Sequence, residues 1–265
     1  MNFSPPYLMF PEDRLSLHFY PEHWEDLTVK SGLTEETIKM GRVYSLAPRF
    51  ISHFFKQSVP VEITSALVFP YQGGDFARIK IVPGLKTMRY VQPPGTSARL
   101  YMPIPVNNGP LIVCEGEKKT LAALQCRLNA VGIGGVWNWI SKGSPINDIG
   151  LIDWDGREVE IVPDSEAWER QDLMRAAYAL GRTLKRLGGS VSLVRIPSQD
   201  SEKVGLDDYF LQHGTNDFDG LDRVALGSKH LRANENWYLR RELRIAAAKV
   251  ASDPRGARLS PSGGA

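Results

Sequence analysis

Apolar positions change their spacing twice along this chain. Between residues 61 and 105 they recur at nearly every second position, in SALVFPY, ARIKIVP, MRYVQPP and RLYMPIP, with Gly and Pro between the runs. A period of two marks half-buried strands, and Gly and Pro punctuate turns, so this stretch predicts a small, mostly antiparallel β-rich module. After NNGP the pattern lengthens. LIVC (111–114), AVGIGG (130–135), REVEIVP (157–163) and SVSLVRIP (190–197) are short apolar runs, with helical patterns at 118–128 and 167–187. Strands alternating with helices imply βαβ units and a parallel sheet covered on both faces.

The flanks read differently. The first thirty residues are rich in Pro and aromatics and predict an irregular arm. SGLTEETIKMGRVYSL predicts a short helix, with Thr34 as N-cap and Glu35 and Glu36 at the positive end of its dipole. LDDYFLQHG predicts a helical turn with a Gly stop, and NENWYLRRELRIAAAKVASD one helix begun near Asn234. ASDPRGARLSPSGGA has the composition of a flexible tail. The expected organisation is an arm (1–30), a basic α+β module (31–108), an α/β domain (109–215), and a basic helix and tail (216–265).

Composition narrows the function classes. With 42% apolar and 23% charged residues, the sequence is that of an ordinary globular protein. A net charge of +2 is too small to imply a nucleic-acid partner, which must be argued from local patches. Residues 229–265 supply one such patch, with eight Lys/Arg against three Asp/Glu, or +5. No apolar run reaches the roughly 18–20 residues of a membrane span, and MNFSPPYLMFPEDR lacks the basic and apolar regions of a signal peptide. A cytoplasmic location and no membrane partner are therefore expected. Cys114 and Cys126 are too few for a cysteine-built zinc finger and read as two buried thiols.

The candidate chemistry lies where the apolar runs end. In parallel α/β sheets, ligands bind at the carboxyl ends of the strands. Glu115 follows LIVC directly, and Gly116 lets the backbone turn tightly there. VPDSEAW places Asp164 and Glu166 at the same edge of a later strand. Carboxylates brought together repel unless a cation separates them, and a hard, oxygen-seeking Mg²⁺ or Mn²⁺ is a natural resident. The bland alternative is that EG is a common strand end and DSE an ordinary helix cap.

The series LIVCEGEKK, AVGIGG, VEIVPDSEA, SVSLVRIP and KVGLDDYF resembles a toprim domain, the fold shared by bacterial-type primases, topoisomerases and some nucleases. The family pattern is Glu-Gly after the first strand and Asp-x-Asp after a later one. Glu115 matches the Glu and Asp164 the first Asp, whereas Glu166 stands in place of the usual second Asp, and Pro163 precedes the motif. EGEKK, GIGGVWNW and GLDDYF together resemble the toprim-like domain of unknown function 3854, of primase- and helicase-like proteins from phages and mobile elements. The resemblance covers roughly residues 25–215, more specifically in the toprim half. It implies metal-dependent nucleotidyl transfer, with Glu115, Asp164 and Glu166 as catalytic metal ligands; Asp207, which opens the last helical element, is expected to join them at the metal.

The basic groups fit a polyanion. Arg78, Lys80, Lys86, Arg89 and Arg99, with Tyr90 and Tyr101 among them, suit phosphates and unpaired bases; equally, alternating charges mark the solvent face of a sheet. Lys118, Lys119 and Lys203 are positioned to meet phosphate or to pair with nearby acids, and Asp208 beside Asp207 reads as a helix cap. Trp137 and Trp139 read as core or loop anchors. The histidines at 18, 23, 53, 213 and 230 show no metal-ligand spacing, and there is no GxxxxGK[ST] or Gly-x-Ser-x-Gly.

The leading expectation is a primase-like enzyme using nucleoside triphosphates on single-stranded DNA or RNA, its helicase or zinc-binding module on another chain. A metal-dependent nuclease and a silent nucleic-acid-binding module are the alternatives.

Overall fold

The computed structural model describes residues 3–9, 13–86, 88–198 and 202–251, with side chains to 248. The tail expected after residue 251 lies outside the described residues. Two sheets carry the fold. The first is antiparallel, with order β1 (Tyr44–Leu46), β2 (Ser65–Pro70), β3 (Ala77–Leu85) and β4 (Met88–Val91). β2 is central and buried along its whole length, so SALVFP carries no polar alternation, whereas β3 buries Ala77, Ile79 and Ile81 on one face.

The second sheet is the α/β unit. Its strands are β5 (Leu100–Tyr101), β6 (Leu111–Glu115), β7 (Ala130–Ile133), β10 (Glu158–Val162), β11 (Ser190–Arg195) and β12 (Asp222–Ala225), in the order β12-β11-β10-β6-β7-β5. A two-residue-per-strand hairpin, β8 (Ile140–Ser141) and β9 (Ser144–Pro145), stands apart. The four inner strands are parallel, and both edge strands are antiparallel. The sheet is thus mixed rather than wholly parallel. RLYMPIP supplies β5, which leaves the β-rich module to edge the other sheet. The short, charged DRVA of β12 had no strand-like pattern to announce it.

Period-two alternation sends successive side chains of this sheet into two different cores. Ile112, Cys114, Val162 and Val194 pack on one face, with the β-rich module and helices α3 (Glu117–Gln125) and α5 (Leu206–His213). Leu111, Val113, Val159, Ile161 and Leu193 pack on the other, beneath α4 (Gln171–Arg186) and α6 (Arg232–Ala251). The first core also takes in Phe3, Leu15 and Leu27, so it fastens the amino-terminal segment to the α/β unit. Cys126 is half-buried rather than buried, and α6 starts two residues ahead of Asn234.

The expected irregular arm contains a helix, α1 (Pro21–Thr28), with Pro at its first position. It packs His23 into the module, where its ring nitrogens meet Ser45 Oγ at 2.7 Å and Ser65 Oγ at 3.1 Å. α2 (Glu35–Met40) is the expected capped helix, with Thr34 Oγ1 accepting from the Thr37 amide.

Burial lowers the His23 pKa from 6.5 to about 4. A histidine depressed in the folded state binds its proton in the unfolded chain first, so its contribution is present above pH 6.5 and lost as pH falls towards 4. At 1.36 kcal/mol per pH unit this is worth about 3 kcal/mol. Urea unfolding at pH 7 and pH 4.5 should show that slope in the native sequence, and His23→Gln should remove most of it.

Candidate active site

β6 and β10 are hydrogen-bonded neighbours, with Cys114 opposite Val162. That register brings Glu115, the last residue of β6, level with Pro163, so Asp164 follows at the same sheet edge. Gly116 then adopts φ +112°, a conformation L side chains rarely take, and α3 begins at once. The EGEKK stretch is thereby divided. Glu115 faces a cavity of about 200 Å³ whose other walls include Arg78, Tyr90, Lys118, Lys119, Lys203 and Asp207. The cavity lies between the two sheets.

Asp164, only 1% exposed, lies behind two lysines of that wall. Lys119 Nζ lies 2.8 Å from Oδ1 and donates to Oδ2 at 3.1 Å, and Lys203 Nζ stands 2.5 Å from Oδ2. Oδ1 is buried without a well-directed hydrogen bond. Burial opposes the charge on Lys119, but Asp164, Asp207 and Glu115 outweigh it and hold its pKa well above the usual lysine value. Lys203 is raised likewise: burial is overcome chiefly by Asp164. The Glu115 carboxyl is pushed up, first by burial and then by the like charge of Asp164, so the two acids are near enough to repel. Gly205 explains part of the geometry. A Cβ there would collide with Lys119 Cε, so a side chain would push the lysine off Asp164.

The other expected site residues separate. Glu166 is drawn to Lys203 at 3.2 Å and Arg170 at 3.3 Å. Asp207 accepts from Ser31 Oγ at 2.7 Å and lies 4.0 Å from Lys118. Asp208 caps α5 by accepting from the Gly205 amide at 2.8 Å. Among the described residues no three His, Cys, Asp or Glu side chains stand close enough to hold a metal together. The four expected ligands are therefore divided by lysines and a serine. Glu115 and Asp164 remain as a pair of hard oxygen donors with mutual repulsion and an undirected buried oxygen, which fits a Mg²⁺ or Mn²⁺ ion.

Two acids that sequence reasoning passed over hold the cavity walls. Glu117, 2% exposed, accepts at 2.7 Å from both Arg78 and the Tyr71 hydroxyl. Asp26 on α1 binds Lys80 at 2.7 Å and Lys118 at 3.2 Å. Arg78 and Lys80 thus face the α/β unit and α1, not solvent. Glu117 was visible as the second acid of EGE; nothing local marked Asp26, whose partners lie 54 and 92 residues away.

Of the remaining basic groups, Arg99 forms a two-pronged pair with Asp75 and covers Phe76, while Lys86 and Arg89 are exposed. Tyr90 lies under the Arg78 guanidinium at 5.1 Å, and Tyr101 is wholly buried. Trp139 is buried, and Trp137 packs edge-on against Trp237.

The comparisons with known proteins agree with this architecture. Residues 104–217 match the family described as Domain of unknown function (DUF3854). The fold of this segment is similar to that of primase catalytic cores. Among solved structures, the chain is similar to the DnaG catalytic core (16% identity over 87% of this chain and 84% of that one, TM-score 0.53). It is also similar to the RNA polymerase domain of Mycobacterium tuberculosis primase DnaG in complex with double-stranded DNA (12% identity, 94% and 90%, TM-score 0.53). A third likeness is to the Aquifex aeolicus primase, with zinc binding and RNA polymerase domains (13% identity, TM-score 0.55); it covers 77% of this chain and 57% of that one. The chain thus spans little more than half of the Aquifex structure. At these identities the likeness establishes the fold. No curated protein matches the sequence.

Glu115 and Glu117, two residues apart, should respond oppositely to neutralisation. Glu115→Gln removes a half-buried charge that Asp164 repels, so stability at pH 7 should hold or rise. Glu117→Gln leaves buried Arg78 without its counter-charge and should cost about 3 kcal/mol. Paired denaturation curves at pH 7 check both signs.

Proposed function

We propose that this protein is a primase-like nucleotidyltransferase acting on single-stranded nucleic acid. The carrying observation is Glu115 facing a cavity ringed by Lys118, Lys119, Lys203 and Arg78, with Asp164 at the end of the adjacent parallel strand and bound to two of those lysines. Acids that fit a divalent cation, beside cations that fit phosphate, suit a nucleoside triphosphate better than either group alone. The primase-type fold supports the same reading.

In this reading Glu115 and Asp164 hold Mg²⁺ or Mn²⁺, which when bound supplies positive charge to the transferring phosphoryl group. Lys203, whose side chain is 49% exposed, is free to leave Asp164 for a phosphate. Lys119, 17% exposed and bonded also to the Glu115 carbonyl at 3.1 Å, stays and orients Asp164. Exposed Lys86 and Arg89 on the β-rich module take the template backbone, and Tyr90 offers a partly exposed ring. Lys80 and Arg99 are committed to Asp26 and Asp75 and contribute less. Glu166, tied to Lys203 and Arg170, joins the reaction only through Lys203. A helicase and a zinc-binding module are partners outside this segment, in phage or mobile-element replication. Among the described residues no helix is long and apolar enough to cross a membrane.

One observation favours a second reading, a silent binding module. Asp164 is already neutralised by two lysines, which is how a site that had given up its metal would be balanced.

The test is incubation with single-stranded DNA, labelled ribonucleotides and deoxyribonucleotides, and Mg²⁺ or Mn²⁺. New oligomers are expected, falling at least 100-fold in Glu115→Gln and Asp164→Asn while template binding persists. Shortened template would indicate a nuclease instead, and unchanged binding without synthesis the silent module.

A further inference from the structure

Two adjoining cavities, of about 440 and 410 Å³, lie beside the carboxyl end of β11 and its neighbour β12. They share Trp168, Glu169, Arg195 and Asp222, and the smaller reaches Ser165, the residue after Asp164. Each is of the size that holds a small organic ligand. The larger has an aromatic and aliphatic lining that includes Trp168, Met174 and Leu231.

Three polar features of this groove are unspent. Asn234, 7% exposed, leaves its buried Oδ1 without a hydrogen-bond donor among the described residues. Trp168 Nε1 is buried without an acceptor. Arg195 is exposed, lies 5.5 Å over the Trp168 ring, and has no carboxylate at ion-pair distance among the described residues. An orphaned acceptor, an orphaned donor, an aromatic face and an uncompensated cation make up a set of complementary needs.

We infer that this groove binds an unpaired nucleobase and its phosphate, on the strand that passes the candidate active site. The base stacks on Trp168 and donates to Asn234, and Arg195 meets the adjoining phosphate. Glu169 and Asp222 add acceptors, which makes the groove a poor general polyanion channel. They favour a base with an exocyclic amine, whose two N–H donors serve two acceptors, over thymine with its single N–H. The inference rests on the nucleic-acid reading above and assigns a place along the strand.

Fluorescence anisotropy with labelled oligo-dC and oligo-dT of equal length tests it, alongside the synthesis assay. The full chain should prefer oligo-dC. Trp168→Leu should weaken that binding about tenfold, and Asn234→Leu should abolish the preference. Arg195→Gln, a surface change that leaves the fold intact, should lower the slope of log K against log salt by about 0.7. Trp168→Leu and Arg195→Gln chains that stay folded and bind like wild type overturn the inference, even if primers are made. Weakened binding in a chain that makes no primer leaves the groove standing and removes the enzymatic reading. No binding by wild type removes both.

Discussion

Negative charge buried at the carboxyl ends of β6 and β10 must be matched by positive charge, and the cleft is built around that requirement. Hydrogen bonding between two parallel strands decides where Glu115 and Asp164 stand, and neither can avoid the other's field. Lys119 and Lys203 answer it from the first turn of α3 and from the loop before α5. Their unequal burial divides the work. One lysine is a fixed part of the site, and the other is exposed enough to exchange with solvent, ion or substrate.

The same principle joins the two sheets. Arg78 of the β-rich module is buried against Glu117 of the α/β unit, and Asp26 of α1 clasps Lys80 and Lys118 from the two sides. Buried ion pairs of this kind add little net stability over apolar packing but are costly to break, so they fix the registration of the two bodies. The cleft width therefore depends on ion pairs that join its walls from both sheets and from α1. Glu115 is the exception, a charge placed where it is unfavourable, as groups kept for chemistry often are.

The apolar spacing made the α/β alternation legible, because βαβ units bury their strands on both faces. The acidic strand ends were legible through the same rule, since Glu115 and Asp164 each follow an apolar run directly. The edge strands were not: β5 is two residues long and β12 is charged, and strand identity there comes from a neighbour's free edge rather than from its own pattern. The alternating charges of ARIKIVP were ambiguous because a period of two separates faces without saying which face is wet. Here the charged face meets α1 and α3. Asp26 and the Ser31–Asp207 bond depend on contacts across 54 to 176 residues, which no local window contains. Likewise, the lysines that part the acids were visible as residues but not as partners.

Diffraction from crystals grown with Mn²⁺ and a non-hydrolysable nucleoside triphosphate, recorded at the manganese edge, addresses the central claim directly. The account predicts an anomalous peak bound by Glu115 and Asp164, with Lys119 retained and Lys203 turned from Asp164 towards phosphate. A fully occupied triphosphate with no manganese at those two carboxylates, and both lysines still on Asp164, would contradict it.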